Sequence, residues 1–81
     1  MEFSLRAPKA REVRLAGDFT QWERSAIAMR ERPGGLWEVL VPLPPGRYQY
    51  RFLVDGVPML DPKNQDMDET QLRSASVRVV R

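Results

Sequence analysis

The chain has no cysteine and no histidine. Without cysteine, a disulfide framework and a thiolate metal site are both excluded. Without histidine, the commonest general base and the commonest metal ligand are missing together. Long apolar runs are absent too. None approaches the roughly 18 residues of a membrane span, and no signal peptide is visible, so no membrane partner and a cytoplasmic location are expected. Charge of one sign is also lacking. Thirteen Lys and Arg are interspersed with eleven Asp and Glu, for a net charge of +2. That balance is too weak and too mixed for a nucleic-acid surface. No apolar pattern of helical period persists for as many as about ten residues.

What remains is an ordinary globular composition, 42% apolar and 30% charged over 81 residues. This is one domain, spanning 1–81, near the size at which a single core only just suffices. The stretch from Tyr48 to Asp61 organises it. Tyr48, Tyr50, Phe52 and Val54 alternate with Arg47, Gln49, Arg51 and Leu53, which predicts a long half-buried strand with its aromatic side inward. Asp55-Gly56 supplies the positive φ of a tight hairpin turn. Pro58 cannot donate a ladder hydrogen bond, so the returning strand is short or lies at an edge.

The same logic places other strands. Phe3 and Leu5 alternate within Glu2 to Arg6, as do Val13 and Leu15 within Glu12 to Ala16. Ala26 to Arg30 reads as one short strand with Ile27 and Met29 inward. Arg-Pro-Gly-Gly at 32–35 is a turn signal, and Leu36 to Leu43 follows with Trp37, Val39 and Val41 on its core face. Leu-Pro-Pro-Gly at 43–46 turns again. Pro62 to Arg73 reads as polar and irregular, and Ala75 to Val80 as a last strand with Val77 and Val79 inward. These short strands, spaced by Gly and Pro turns, predict a small antiparallel β-sandwich of about seven strands.

Four segments, in this order and spacing, carry a family resemblance. They are V-R-L-A-G-D-F-T-Q-W at 13–22, L-W-E-V at 36–39, L-P-P-G-R-Y-Q-Y-R-F-L-V-D-G at 43–56 and D-P at 61–62. Together they resemble the glycogen-binding domain of the AMP-activated protein kinase β-subunit, in the isoamylase N-terminal-like group, carbohydrate-binding module family 48. The resemblance runs from about Val13 to Val79. It implies an immunoglobulin-like (early-set) sandwich that binds α-1,4-linked glucan, such as glycogen, starch, maltooligosaccharide or cyclodextrin. It also implies a neighbouring glycogen-metabolising enzyme or kinase as a possible protein partner.

Sugars present apolar C–H faces and a rim of hydroxyls, so a sugar site needs flat aromatic surface and a few fixed polar groups. Trp22 follows a strand and a Gly-Asp turn, where no core tryptophan is needed, and the resemblance gives that position a sugar-stacking role. Arg51 stands where the family has a sugar-binding lysine, and keeps the charge with a wider donor fork. Gln49 shares its strand face, and Met59 offers apolar contact. Pro58 and Ala75 stand where relatives carry a second tryptophan and an asparagine, so weak glucan binding is expected. Trp37, Tyr48, Tyr50 and Phe52 are expected in the core.

No catalytic constellation emerges, and a non-catalytic module without cofactor or metal is expected. Asp61, Asp66, Asp68 and Glu69 do not fit a calcium-loop spacing. Asp55 and Asp61 invite comparison with a glycosidase carboxylate pair, but Asp55 is explained by its turn. Two readings stand: a glucan-binding module using Trp22 and Arg51, or a protein-interaction or accessory module that keeps the sandwich but has lost the sugar site.

Overall fold

The computed structural model describes residues 1–63, the backbone of 67–68, and residues 75–81. Nine strands lie among them: β1 (Glu2–Arg6), β2 (Val13–Gly17), β3 (Ile27–Ala28), β4 (Arg30–Arg32), β5 (Leu36–Leu40), β6 (Gly46–Val54), β7 (Val57–Met59), β8 (Met67–Asp68) and β9 (Ala75–Val80). A single 3₁₀ turn, Trp22–Ser25, joins β2 to β3. The strands form two antiparallel sheets. The smaller has the order β1-β5-β4; the larger runs β3-β2-β6-β9-β8, with β7 also paired to β6. This is an all-β sandwich, as the alternation predicts. Among the described residues no helix is long and apolar enough to cross a membrane.

The core lies between the sheets. Phe3, Leu5 and Trp37 come from the smaller sheet; Val13, Leu15, Tyr50 and Phe52 come from the larger, and Met29 and Val41 complete the cluster. Tyr50 meets Phe3 edge-on at 4.9 Å and Phe52 edge-on at 5.9 Å. Such pairs add about 0.5–1.5 kcal/mol each beyond area burial. The Trp37 indole N–H donates to the Ala7 carbonyl at 3.0 Å, which satisfies the one polar atom of the ring.

The central β6 turns at Asp55 and Gly56, with φ of 51° and 84°. Asp55 does more than turn the chain. Its Oδ1 accepts from the backbone N–H groups of Arg11 and Glu12 at 2.8 and 2.9 Å, tying the hairpin to the loop before β2. Asp61 is likewise held in place. Its Oδ2 accepts from the Tyr50 hydroxyl at 2.7 Å, and its N–H donates to Ser76 Oγ at 3.0 Å.

Nine strands replace the expected seven for two reasons. The predicted strand over Ala26–Arg30 is divided. Ile27–Ala28 pairs with β2 in the larger sheet, whereas Arg30–Arg32 pairs with β5 in the smaller. Met29 sits at the crossing, buried, its N–H donating to Val13 O at 2.9 Å. The second addition is β8, which pairs with β9 inside the stretch read as irregular. Asp66 and Glu69 lie outside the described residues.

Two further expectations are corrected. Tyr48 is half-buried rather than core. Its ring packs edge-on against Phe19, and its hydroxyl donates to Pro44 O at 2.6 Å, so it closes one end of the sandwich. Val77 and Val79 do not face inward. Directly opposed residues of an antiparallel pair share a face, and the register sets Val77 against Gln49 and Val79 against Arg47. Val77 is still buried, but Val79 is 53% exposed. The inward positions belong to Ser76, opposite Tyr50, and Arg78, whose guanidinium lies 5.2 Å from the Phe3 ring.

Candidate functional site

The outer face of the larger sheet collects the candidate residues. On β6 it carries Arg47, Gln49, Arg51 and Leu53. Ala16 of β2 opposes Arg51, and Pro58 of β7 opposes Leu53. Ala75, two residues before Val77, shares this face by alternation. It is not a plain solvated surface, because Ala16, Leu53, Ala75 and Val77 on it are all buried.

Trp22 reaches this face because the preceding segment is tightly pinned. Phe19 turns inward and stacks on Phe3 at 5.9 Å. Thr20 is buried and fastens the turn. Its Oγ1 accepts from Gly17 N–H at 2.9 Å and lies 3.0 and 2.9 Å from the carbonyls of Gly17 and Trp22, to one of which it donates. Its own N–H donates to Gly17 O at 3.0 Å. Asp18 clamps the turn to β6: its N–H donates to Gln49 O at 3.1 Å, and its Oδ2 accepts from Gln49 N–H at 3.2 Å. The approach is so close that a Cβ on Gly17 would fall 2.6 Å from Gln49 O. Only glycine fits there.

Gln21 and Trp22 then take left-handed conformations, with φ of 57° and 58°. For residues with a Cβ this is a strained backbone, and such strain concentrates at working sites. It is held here by the Thr20 and Asp18 bonds. Replacing Thr20 by valine keeps the shape but leaves the buried Gly17 N–H unpaired. The expected loss is about 1–3 kcal/mol, seen as a lower urea midpoint, while Thr20→Ser stays near the unmodified protein.

Trp22 and Arg51 meet directly. The Arg51 guanidinium carbon lies 5.4 Å from the indole centroid. One terminal nitrogen, Nη2, pairs with Glu23 Oε2. The Arg51 side chain is only 14% exposed, against 44% for Glu23. An ion pair with one partner this enclosed is screened less than an exposed one. The stem of Arg51 is covered, and its Nε is buried without a hydrogen-bond partner among the described residues. Gln49 is half-buried on the same strand face.

Of the four residues singled out in the sequence, Trp22, Arg51 and Gln49 are thus brought together. Met59 is not. It pairs with Phe52, on the opposite face of the sheet, and is 41% exposed at the edge. Pro58 and Ala75, the positions for which the family resemblance implies Trp and Asn, do lie on the Arg51 face. Sequence reasoning missed Glu23 and Thr20. A charge next to Trp22 on a polar loop gives no periodic signal, and Thr20 is legible only as a turn residue. The groove of about 280 Å³ lined by Glu2, Ala28, Arg30, Glu38, Val39 and Leu40 includes none of the three converging residues. A stacking platform is a surface rather than a cavity.

An all-β sandwich with an indole and a guanidinium gathered on one sheet face has the build of a carbohydrate-binding module. Residues 2–79 match the family described as the glycogen recognition site of AMP-activated protein kinase, and the chain belongs to that family. The match is to a non-catalytic module. Among curated relatives, 1,4-alpha-glucan branching enzyme GlgB 2 of Xanthomonas euvesicatoria pv. vesicatoria is 34% identical over 85 aligned residues, covering 99% of this chain and 11% of that enzyme. The branching enzyme GlgB of Bordetella pertussis is 46% identical over 54 residues, covering 63% of this chain and 7% of that enzyme. GlgB 2 of Xanthomonas campestris pv. campestris strain 8004 is 35% identical over 54 residues, covering 67% and 7%. The chain therefore spans between 7% and 11% of the length of these relatives.

Proposed function

We propose that this chain binds α-1,4-linked glucan through the outer face of the larger sheet and catalyses no reaction itself. The observation that carries this reading is the convergence of Trp22 and Arg51, on a strained and pinned backbone. Trp22 supplies flat apolar surface for the C–H face of a glucosyl unit, Arg51 donates to its hydroxyls, and Gln49 lies within the same patch. Family membership and likeness to proteins named as glucan branching enzymes support the choice of glucan over other sugars.

Binding is expected to be weak. Pro58 has no aromatic face to offer, and Ala75 has no amide. Within a larger protein, such a module would hold a catalytic region near its polymeric substrate. Raising local substrate concentration in this way needs no tight site. A glycogen-metabolising enzyme or kinase would share this role.

The test is a titration with maltoheptaose followed by heteronuclear NMR. Shifts clustered at the Trp22 indole, Gln49 and Arg51 are expected at millimolar ligand. An unperturbed spectrum at that concentration would reject the reading and leave the interaction module standing.

A further inference from the structure

We propose that Glu23 is a sugar-contacting residue, and that its carboxylate and the Arg51 guanidinium together recognise neighbouring hydroxyls of one glucosyl unit. This rests on the glucan reading above and assigns its hydroxyl specificity. Three observations carry it.

First, Glu23 and Arg51 are already paired through Oε2 and Nη2, beside the Trp22 ring. The pairing orients both groups before any ligand arrives, and a preorganised site loses less entropy on binding. Second, the pairing uses one atom of each. The pairing runs between Oε2 and Nη2, so Glu23 Oε1 and Arg51 Nη1 lie outside it. Third, the two groups differ in chemistry. A carboxylate only accepts, and a guanidinium only donates. A sugar hydroxyl does both. One hydroxyl can donate to Glu23 Oε1 while its neighbour accepts from Arg51 Nη1, with each bond assisted by a charge.

The geometry also explains why arginine suits this position. Its planar fork keeps one nitrogen on the carboxylate and presents another, with the guanidinium carbon 5.4 Å from the indole centroid. A lysine has one nitrogen and no plane with which to do this. Glu23 stands immediately after Trp22 in the 3₁₀ turn. The pinned backbone that displays the ring therefore displays the acceptor as well.

The experiment compares maltosides with and without the C2 or C3 hydroxyl, by titration against the unmodified protein, Glu23→Ala and Glu23→Gln, with Tm recorded for each. The unmodified protein is expected to prefer the fully hydroxylated sugar by about tenfold or more, the usual scale of a hydrogen bond to a charged group. Glu23→Ala should bind the full sugar more weakly by a similar factor and lose most of that preference; it should stay folded with a lower Tm, because the enclosed guanidinium loses its carboxylate. Glu23→Gln retains an acceptor oxygen and should recover part of the preference.

Other results overturn the proposal in distinguishable ways. If the unmodified protein binds none of the sugars, the glucan reading fails and the assignment with it. If the variants bind and discriminate as the unmodified protein does, the glucan reading stands and Glu23 is no contact. If Glu23→Ala weakens all sugars equally and keeps the preference, Glu23 only positions Arg51, and the contact is rejected.

Discussion

Trp37→Ala is expected to leave the domain largely unfolded at ordinary temperatures. The indole is 6% exposed, inside the cluster that joins the two sheets. Truncating a buried tryptophan costs about 3–5 kcal/mol, because a cavity remains where the ring was. Here the Ala7 carbonyl also loses the indole N–H that it accepts. A domain of this size has only about 4–12 kcal/mol of stability in total. A loss of that order lowers Tm by roughly 12–40 °C. Thermal melts followed by circular dichroism give the answer. Trp37→Phe should fall between, because it keeps an aromatic ring in the core and loses only the hydrogen bond and part of the volume. A Trp37→Ala protein that melts within a few degrees of the unmodified one would mean that this ring does not hold the sheets together.

Trp37 was legible because its strand alternates plainly, and because the other face of Leu36–Leu40 carries Glu38 between two leucines. The same rule failed at β9. Period-two alternation tells which residues share a face, but not which face is the core. In β9 the valines at 77 and 79 lie on the outer face, and Ser76 takes the inner position. The sequence favours the opposite choice because valine is the more apolar. The structure tolerates Ser76 inside because its hydroxyl accepts from the Asp61 N–H. That partner is distant in sequence, so no local pattern announces it. The outer face, in turn, buries Ala16, Leu53, Ala75 and Val77, which makes the two faces of this sheet hard to tell apart by composition.

Met59 illustrates the same limit at the site. Counting from the Asp-Gly turn does not by itself fix the pairing, and the register sets Met59 against Phe52 rather than beside Arg51. The division of Ala26–Arg30 was invisible for another reason. Ile27 and Met29 are both apolar and two apart, which suits a single strand as well as a crossing between sheets. Only the separate pairing of β3 with β2 and of β4 with β5 decides. Trp22 and Arg51 were legible as residue types and through the family resemblance. Their contact, and the share of Glu23 in it, required the left-handed turn at Gln21 and Trp22 to be seen.

The second tryptophan should behave in the opposite way to the first. Trp22→Gly is expected to abolish measurable maltoheptaose binding while the protein stays folded. Glycine is the right replacement because Trp22 has a φ of 58°. A residue with a Cβ is strained there by roughly 1–2 kcal/mol, and glycine is not. Relief of that strain offsets part of the packing lost with the ring, so the net change in Tm should be small. Binding has no such compensation. Stacking of a nucleic-acid base on an aromatic ring is worth roughly 1–3 kcal/mol, and that scale serves here by analogy. Its loss lowers affinity by about 5- to 150-fold. For a site without the second aromatic face and the amide that the family resemblance implies at positions 58 and 75, such a loss removes saturation at millimolar ligand. Arg51 also loses the ring it packs on, so its donors are less well held. Calorimetric titration beside a thermal melt separates the two effects. Affinity within twofold of the unmodified protein, in a variant that remains folded, would show that glucan does not stack on Trp22. Trp37→Phe supplies the control. It should lose stability and keep the sugar, because its ring lies between the sheets and touches no part of the outer face.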